Sequence, residues 1–61
     1  MLRFKVGDIV KISTDEHKLI IPKGEKVEIL AVDEESLTPY FVQSLQGDIK
    51  LEVCNHNLQF I

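Results

Sequence analysis

A second cysteine is missing from these 61 residues, so Cys54 has no partner within the chain and no internal disulfide can staple the fold. A lone thiol fits a reducing compartment and gives no sign of secretion, so a cytoplasmic protein is expected. Long apolar runs are missing too. Leu19-Ile20-Ile21 is typical of what occurs, far short of a membrane span. The opening MLRFKVGD lacks the apolar segment of a signal peptide. Met1 leads almost at once into a strand pattern and the chain ends on Phe60-Ile61, as expected of a complete small gene product. Tryptophan is absent, and tyrosine occurs only as Tyr40. Positive charge is scarce in the second half. Residues 1–30 carry six basic and five acidic groups, whereas residues 31–61 carry only Lys50 against five acidic groups. The net charge of −3 disfavours a polyanion partner, because nucleic-acid affinity rests on neutralising phosphates. It fits a protein partner better.

The helical period is also absent, and what is present is a period of two. In FKVGDIVKI, Phe4, Val6, Val10 and Ile12 share one parity, and Arg3, Lys5 and Lys11 the other. That describes a half-buried first strand with a kink or bulge at Gly7-Asp8. Ile9 breaks the alternation. STDEHKLIIPKG is a long connection with an apolar centre, ending in Pro22-Lys23-Gly24, where glycine supplies the positive φ of a tight turn. EKVEILAV follows as a second strand, with Val27, Ile29 and Ala31 inward and Leu30 and Val32 on the other face. DEESLTP is a polar loop. YFVQSL is a third strand, apolar on both parities as in a central position. A short turn around Gly47 leads to IKLEV, with Ile49, Leu51 and Val53 inward and Lys50 and Glu52 outward. CNHN suits one 3₁₀ turn, and LQFI closes as a last strand. One domain over residues 1–61 is the expectation, with a small core and a stability of roughly 3–5 kcal/mol. Five short strands with no helix to cover an apolar face must bend into a small all-β, five-stranded barrel. The first strand, through Leu2 and Phe4, can then pair with the last, through Leu58 and Phe60.

The order of strand, long loop, strand, polar loop, strand, tight turn, strand, single turn, strand resembles the Src-homology-3 (SH3) barrel. PKGEKVEIL resembles that family's diverging turn and second strand, and FVQSLQGD its third strand and distal turn. VCNHNL occupies the place of its 3₁₀ turn. The resemblance covers most of the chain from Leu19 onward. It implies an SH3-like barrel with one 3₁₀ turn before the last strand, a superfamily that hosts peptide binders, nucleic-acid binders and inert modules. The aromatics with which its peptide-binding members grip polyproline are not here. The paired-Trp position falls near Pro39-Tyr40, and the Pro-x-x-Tyr position near Cys54 and Asn57. Only Tyr40 is left to offer an aromatic surface. Stand-alone barrels of this size resemble small products of bacteria and their phages, which implies a host protein as partner.

In the family, the long loop and the loop after strand two flank one side of the barrel. Here those loops carry Asp15 and Glu16, and Asp33, Glu34 and Glu35. With Tyr40, they are the candidate surface for a basic patch on another protein. The competing reading is that both loops are simply solvated, as charge runs usually are. Arg3, Lys5 and Lys11 form a basic stripe, the candidate face for a weakly nucleic-acid-binding or ribosome-associated barrel. Phe4 points away from it, so no stacking platform interleaves with those charges. His17, Cys54 and His56 are the soft donors, three scattered groups where structural zinc normally takes four at recognisable spacing. Cys54 and His56 could serve as thiol nucleophile and base, but no orienting group, oxyanion donor or pocket accompanies them, so neither an enzyme nor a cofactor is expected. Leu37, Tyr40, Phe60 and Ile61 have no assured place inside and could form an exposed patch. Self-association through an edge strand would relieve the thin core.

Overall fold

The computed structural model describes residues 3–61, so the expected pairing through Leu2 lies outside the described residues. The protein is all-β. Five strands run β1 (Ile9–Ile12), β2 (Lys26–Val32), β3 (Tyr40–Ser44), β4 (Lys50–Val53) and β5 (Leu58–Phe60). One 3₁₀ turn, η1 (Asn55–Asn57), precedes the last strand. They form one antiparallel sheet in the order β4-β3-β2-β1-β5. First and last strands do pair, but through Val10↔Phe60, Lys11↔Gln59 and Ile12↔Leu58.

The sheet is not closed into a barrel. β4 and β5 are the two ends of the order, and no ladder joins them. Nevertheless they are linked by η1 alone, which with its flanking residues spans only about 13 Å. Five strands laid flat would put their end strands ~19 Å apart. The sheet therefore curls, and its two inner ends share one core. That core takes Val10 and Ile12 from β1, Val27 and Ile29 from β2, and Tyr40 and Val42 from β3. Leu51 and Val53 of β4 and Leu58 of β5 complete it, with Phe4 and Ile21 entering from outside the strands.

Three expectations are corrected. The first strand begins at Ile9, not near Phe4, because Gly7 (φ +94°) turns the chain. The Asp8 amide donates to the Lys5 carbonyl, and Asp8 Oδ2 accepts from the Lys5 amide. The turn breaks the parity, so Phe4 is buried but Val6 is exposed. Second, Ala31 faces outward and Val32 packs against the core. A bulge between Ile29 and Ala31 adds a residue to β2 and reverses its parity. Third, Ile49 precedes β4 and is 38% exposed. Val27, Ile29, Leu51 and Val53 lie inward as the alternation requires.

The Pro22–Glu25 turn forms as the sequence indicates. Glu25 N–H donates to the Pro22 carbonyl across Gly24, whose φ is +92°. The turn is tied to β1 by Gly24 N–H to Ile12 O (2.7 Å) and Ile12 N–H to Glu25 O (2.9 Å). A Cβ on Gly24 would meet no atom within 4 Å, so the demand for glycine is one of backbone conformation alone. Gly24→Ala should therefore lower stability by about 1 kcal/mol, read as a shifted urea midpoint at unchanged slope. An unchanged midpoint would contradict this account of the turn.

Candidate functional site

Both acidic loops reach the segment around η1. From the loop after β1, Ser13 N–H donates to Asn57 O (2.8 Å) and Ser13 Oγ to His56 O (2.9 Å). Asn57 Nδ2 donates to Thr14 Oγ1 (3.0 Å). From the loop after β2, the Leu37 carbonyl accepts from Cys54 Sγ at 3.0 Å. Asn57 is the pivot. It is 1% exposed, and its Oδ1 also accepts the Cys54 amide at 2.9 Å.

Within the first loop, Glu16 is engaged. Its Oε2 lies 2.6 Å from His56 Nε2. That hydrogen bond first, then one with the Asn57 side chain, holds the Glu16 carboxyl below the usual carboxylate range. Asp15 is exposed and its carbonyl accepts the Lys18 amide. Leu19, at 96% exposure, stands bare on the same loop.

The second loop has a different character. Asp33 N–H closes it on the Pro39 carbonyl (2.8 Å), and Asp33 Oδ1 accepts the Glu35 amide (3.1 Å). Asp33 thus shapes the loop as well as charging it. Glu34 and Glu35 are exposed, and their carboxylates have no hydrogen-bond or ionic partner among the described residues. On the outer face of the sheet, lined from this loop by Asp33 and Ser36, lies an open hollow of about 330 Å³. Ala31, Phe41 and Pro39 give it an apolar floor, and Asp33 and Glu52 place carboxylates at its rim. Glu52 Oε1 is steadied by Thr38 Oγ1 at 3.2 Å. The bulge in β2 builds this floor, because it turns Ala31 outward beside its partner Phe41.

Tyr40, expected to offer an aromatic surface, does not. It is fully buried, and Val32 across the ladder and Val53 of β4 are its strand partners. Its ring meets Phe4 edge-on at 5.4 Å. Its hydroxyl donates to Asn55 Oδ1 (2.6 Å) and accepts the amides of Arg3 (3.1 Å) and Phe4 (3.3 Å). The parity of β3 decides this: Tyr40 and Val42 go in, Phe41 goes out.

The basic stripe is divided. Arg3 and Lys5 precede β1, and only Lys11 lies in it. The Arg3 guanidinium sits over the Phe4 and Phe60 rings, 5.1 and 5.6 Å from their centres. Lys11 pairs across the ladder with Lys26. Among the described residues, His17, Cys54 and His56 do not form part of any group of three or more donors able to hold a metal. Cys54 is half-buried and His56 is exposed. No helix among the described residues is long and apolar enough to cross a membrane. The hollow, Asn57 and the outward Phe41 escaped sequence reasoning. The one available signal was the double-sided apolar pattern of YFVQSL, which left Phe41 without an inward place.

No protein-family model, no curated protein and no solved structure matches this chain.

Proposed function

We propose that the protein is a non-catalytic, SH3-like interaction module that docks a basic segment of another protein against the loop between β2 and β3. One observation carries the reading: carboxylates rim an apolar hollow, lined in part by a loop that carries further free carboxylates. Asp33 and Glu52 line the hollow together with Ala31, Phe41 and Pro39, and Glu34 and Glu35, which follow Asp33 in the loop, have no ionic partner among the described residues. A lysine or arginine side chain suits such a place, since its aliphatic stem can lie on the apolar floor while its head meets Asp33 or Glu52. Leu37, 94% exposed on the same loop, adds apolar contact for the partner. The strand order and the 3₁₀ turn before the last strand support the SH3-like assignment. By that resemblance the module is of bacterial or phage type and its partner a host protein. Asp15 and Glu16 contribute less, because Glu16 is already held by His56.

Glu34→Lys/Glu35→Lys is the direct test, because neither side chain holds the loop, whereas Asp33 does. A lysine- and leucine-rich peptide should shift the amide resonances of Ala31, Thr38 and Phe41 in the native protein. In the double variant its affinity should fall at least tenfold, about 1.4 kcal/mol. Affinity capture with and without nuclease should return the same protein. Equal peptide binding by both forms, or capture lost on nuclease treatment, would remove the proposal.

A further inference from the structure

The free edge of β4 has a self-complementary pattern. Among the described residues, β4 ends the sheet and bonds only to β3. Ser44 N–H donates to Ile49 O (2.9 Å), which makes that opposed pair a hydrogen-bonded one. The alternation of antiparallel ladders then directs Leu51 and Val53 towards β3 and turns the N–H and C=O of Lys50 and Glu52 outward. The same alternation is seen on the other side of β3, where Leu45 N–H donates to Lys26 O (3.1 Å). The sequence Ile49-Lys50-Leu51-Glu52-Val53 reads alike in both directions, apart from the sign of its two charges.

We propose that a second copy of this chain pairs antiparallel with β4, about a two-fold axis at Leu51. In this register Lys50 faces Glu52 of the second copy and Glu52 faces its Lys50. These are also the two positions whose backbone groups point outward, so charge pairs and hydrogen-bonded pairs coincide. Four inter-chain hydrogen bonds follow, with Ile49 set opposite Val53. Centring the axis on Lys50 or on Glu52 would set like charges face to face, which is destabilising in a ladder. A charge palindrome is what a two-fold, isologous contact needs and what an arbitrary strand partner would not. At the other end of the order, β5 has three residues and no charged side chain, so nothing there selects a register.

The contact is small, below the ~1,200 Å² of standard stable interfaces, so a dissociation constant around 100 μM is expected. The pairing goes beyond the docking of a basic partner; it shares Glu52 with the rim of the hollow, but Lys50, whose reversal tests it, does not line the hollow. Sedimentation equilibrium of the native chain up to about 1 mM should show a monomer–dimer equilibrium. Lys50→Glu sets like charges opposite each other at both ends of the ladder and should weaken it at least tenfold. Lys50→Glu/Glu52→Lys restores opposite charges and should recover most of the association, although it gives up the Thr38 bond to Glu52. Circular dichroism should show each variant to be folded. A native chain that stays monomeric at 1 mM would overturn the proposal. So would a Lys50→Glu variant that dimerises as the native chain does, or a folded double variant that does not.

Discussion

Tyr40→Phe is expected to cost about 2–3 kcal/mol, although it leaves every carbon of the ring in place. The hydroxyl is the common partner of three groups: Asn55 Oδ1, the Arg3 amide and the buried Phe4 amide. Without it these groups lose their shared partner, and a buried donor or acceptor left unmatched costs more than a hydrogen bond normally yields. Because the ring itself stays, its edge-on packing against Phe4 is kept, and the measured loss belongs to the hydroxyl. For a domain of this size the melting temperature should fall by roughly 10–15 °C. Hydrogen exchange should accelerate most at Phe4, because the hydrogen bond its N–H donates to the Tyr40 hydroxyl fastens the N-terminal arm to the core. A loss under about 0.5 kcal/mol would show that the arm and Asn55 find other partners.

Asn57→Ala is expected to cost about 3 kcal/mol, most of the stability available to a chain this small. The side chain is buried and uses both ends of its amide, Oδ1 for the Cys54 amide and Nδ2 for Thr14 Oγ1. Truncation removes both bonds and the one to Glu16, leaves the Cys54 N–H without its acceptor and opens a void where the long loop meets η1. Thr14→Val removes only one of the bonds and should cost about 1 kcal/mol. Urea denaturation of the two variants beside the native protein checks the order. A Thr14 variant as unstable as the Asn57 variant would move the weight of the junction from the turn to the loop.

These two residues also mark where sequence reasoning stops. Period-two alternation located β2 to β5 closely, since a strand with one buried face must alternate. Pro22-Lys23-Gly24 announced its turn for a reason as local, a positive φ that other residues resist. The first strand was drawn too long because Gly7-Asp8 looks like a kink within it, whereas the chain turns there and β1 starts beyond it, and Val6 stands exposed as the result. The bulge that sends Ala31 outward is likewise invisible to a strict period. Tyr40 looked like a surface aromatic and Asn57 like a turn residue. Burial depends on what arrives from elsewhere in the chain, and their partners stand up to 37 and 43 positions away.

The hollow beside the acidic loop belongs with these. Its floor joins residues of two strands at a bulge, and its rim brings Glu52 from a third strand next to Asp33. The charge of the loop was plain in Asp33-Glu34-Glu35; which carboxylates are free was not, because Glu16 loses that freedom only when His56 arrives beside it.

By itself the sequence determined an all-β chain of five strands, the 3₁₀ turn before the last, most of the inward positions and the acidic bias of the second half. Each of these follows from neighbours one to four residues apart. Tertiary structure alone decided that the sheet curls without a closing ladder, that Tyr40 fastens the N-terminal arm and that Asn57 joins loop to turn. It also decided that β4 stands at one end of the strand order. Those outcomes turn on distant groups meeting in a shared interior, where an unmatched polar atom is costly and strand parity can be reset by a single added residue.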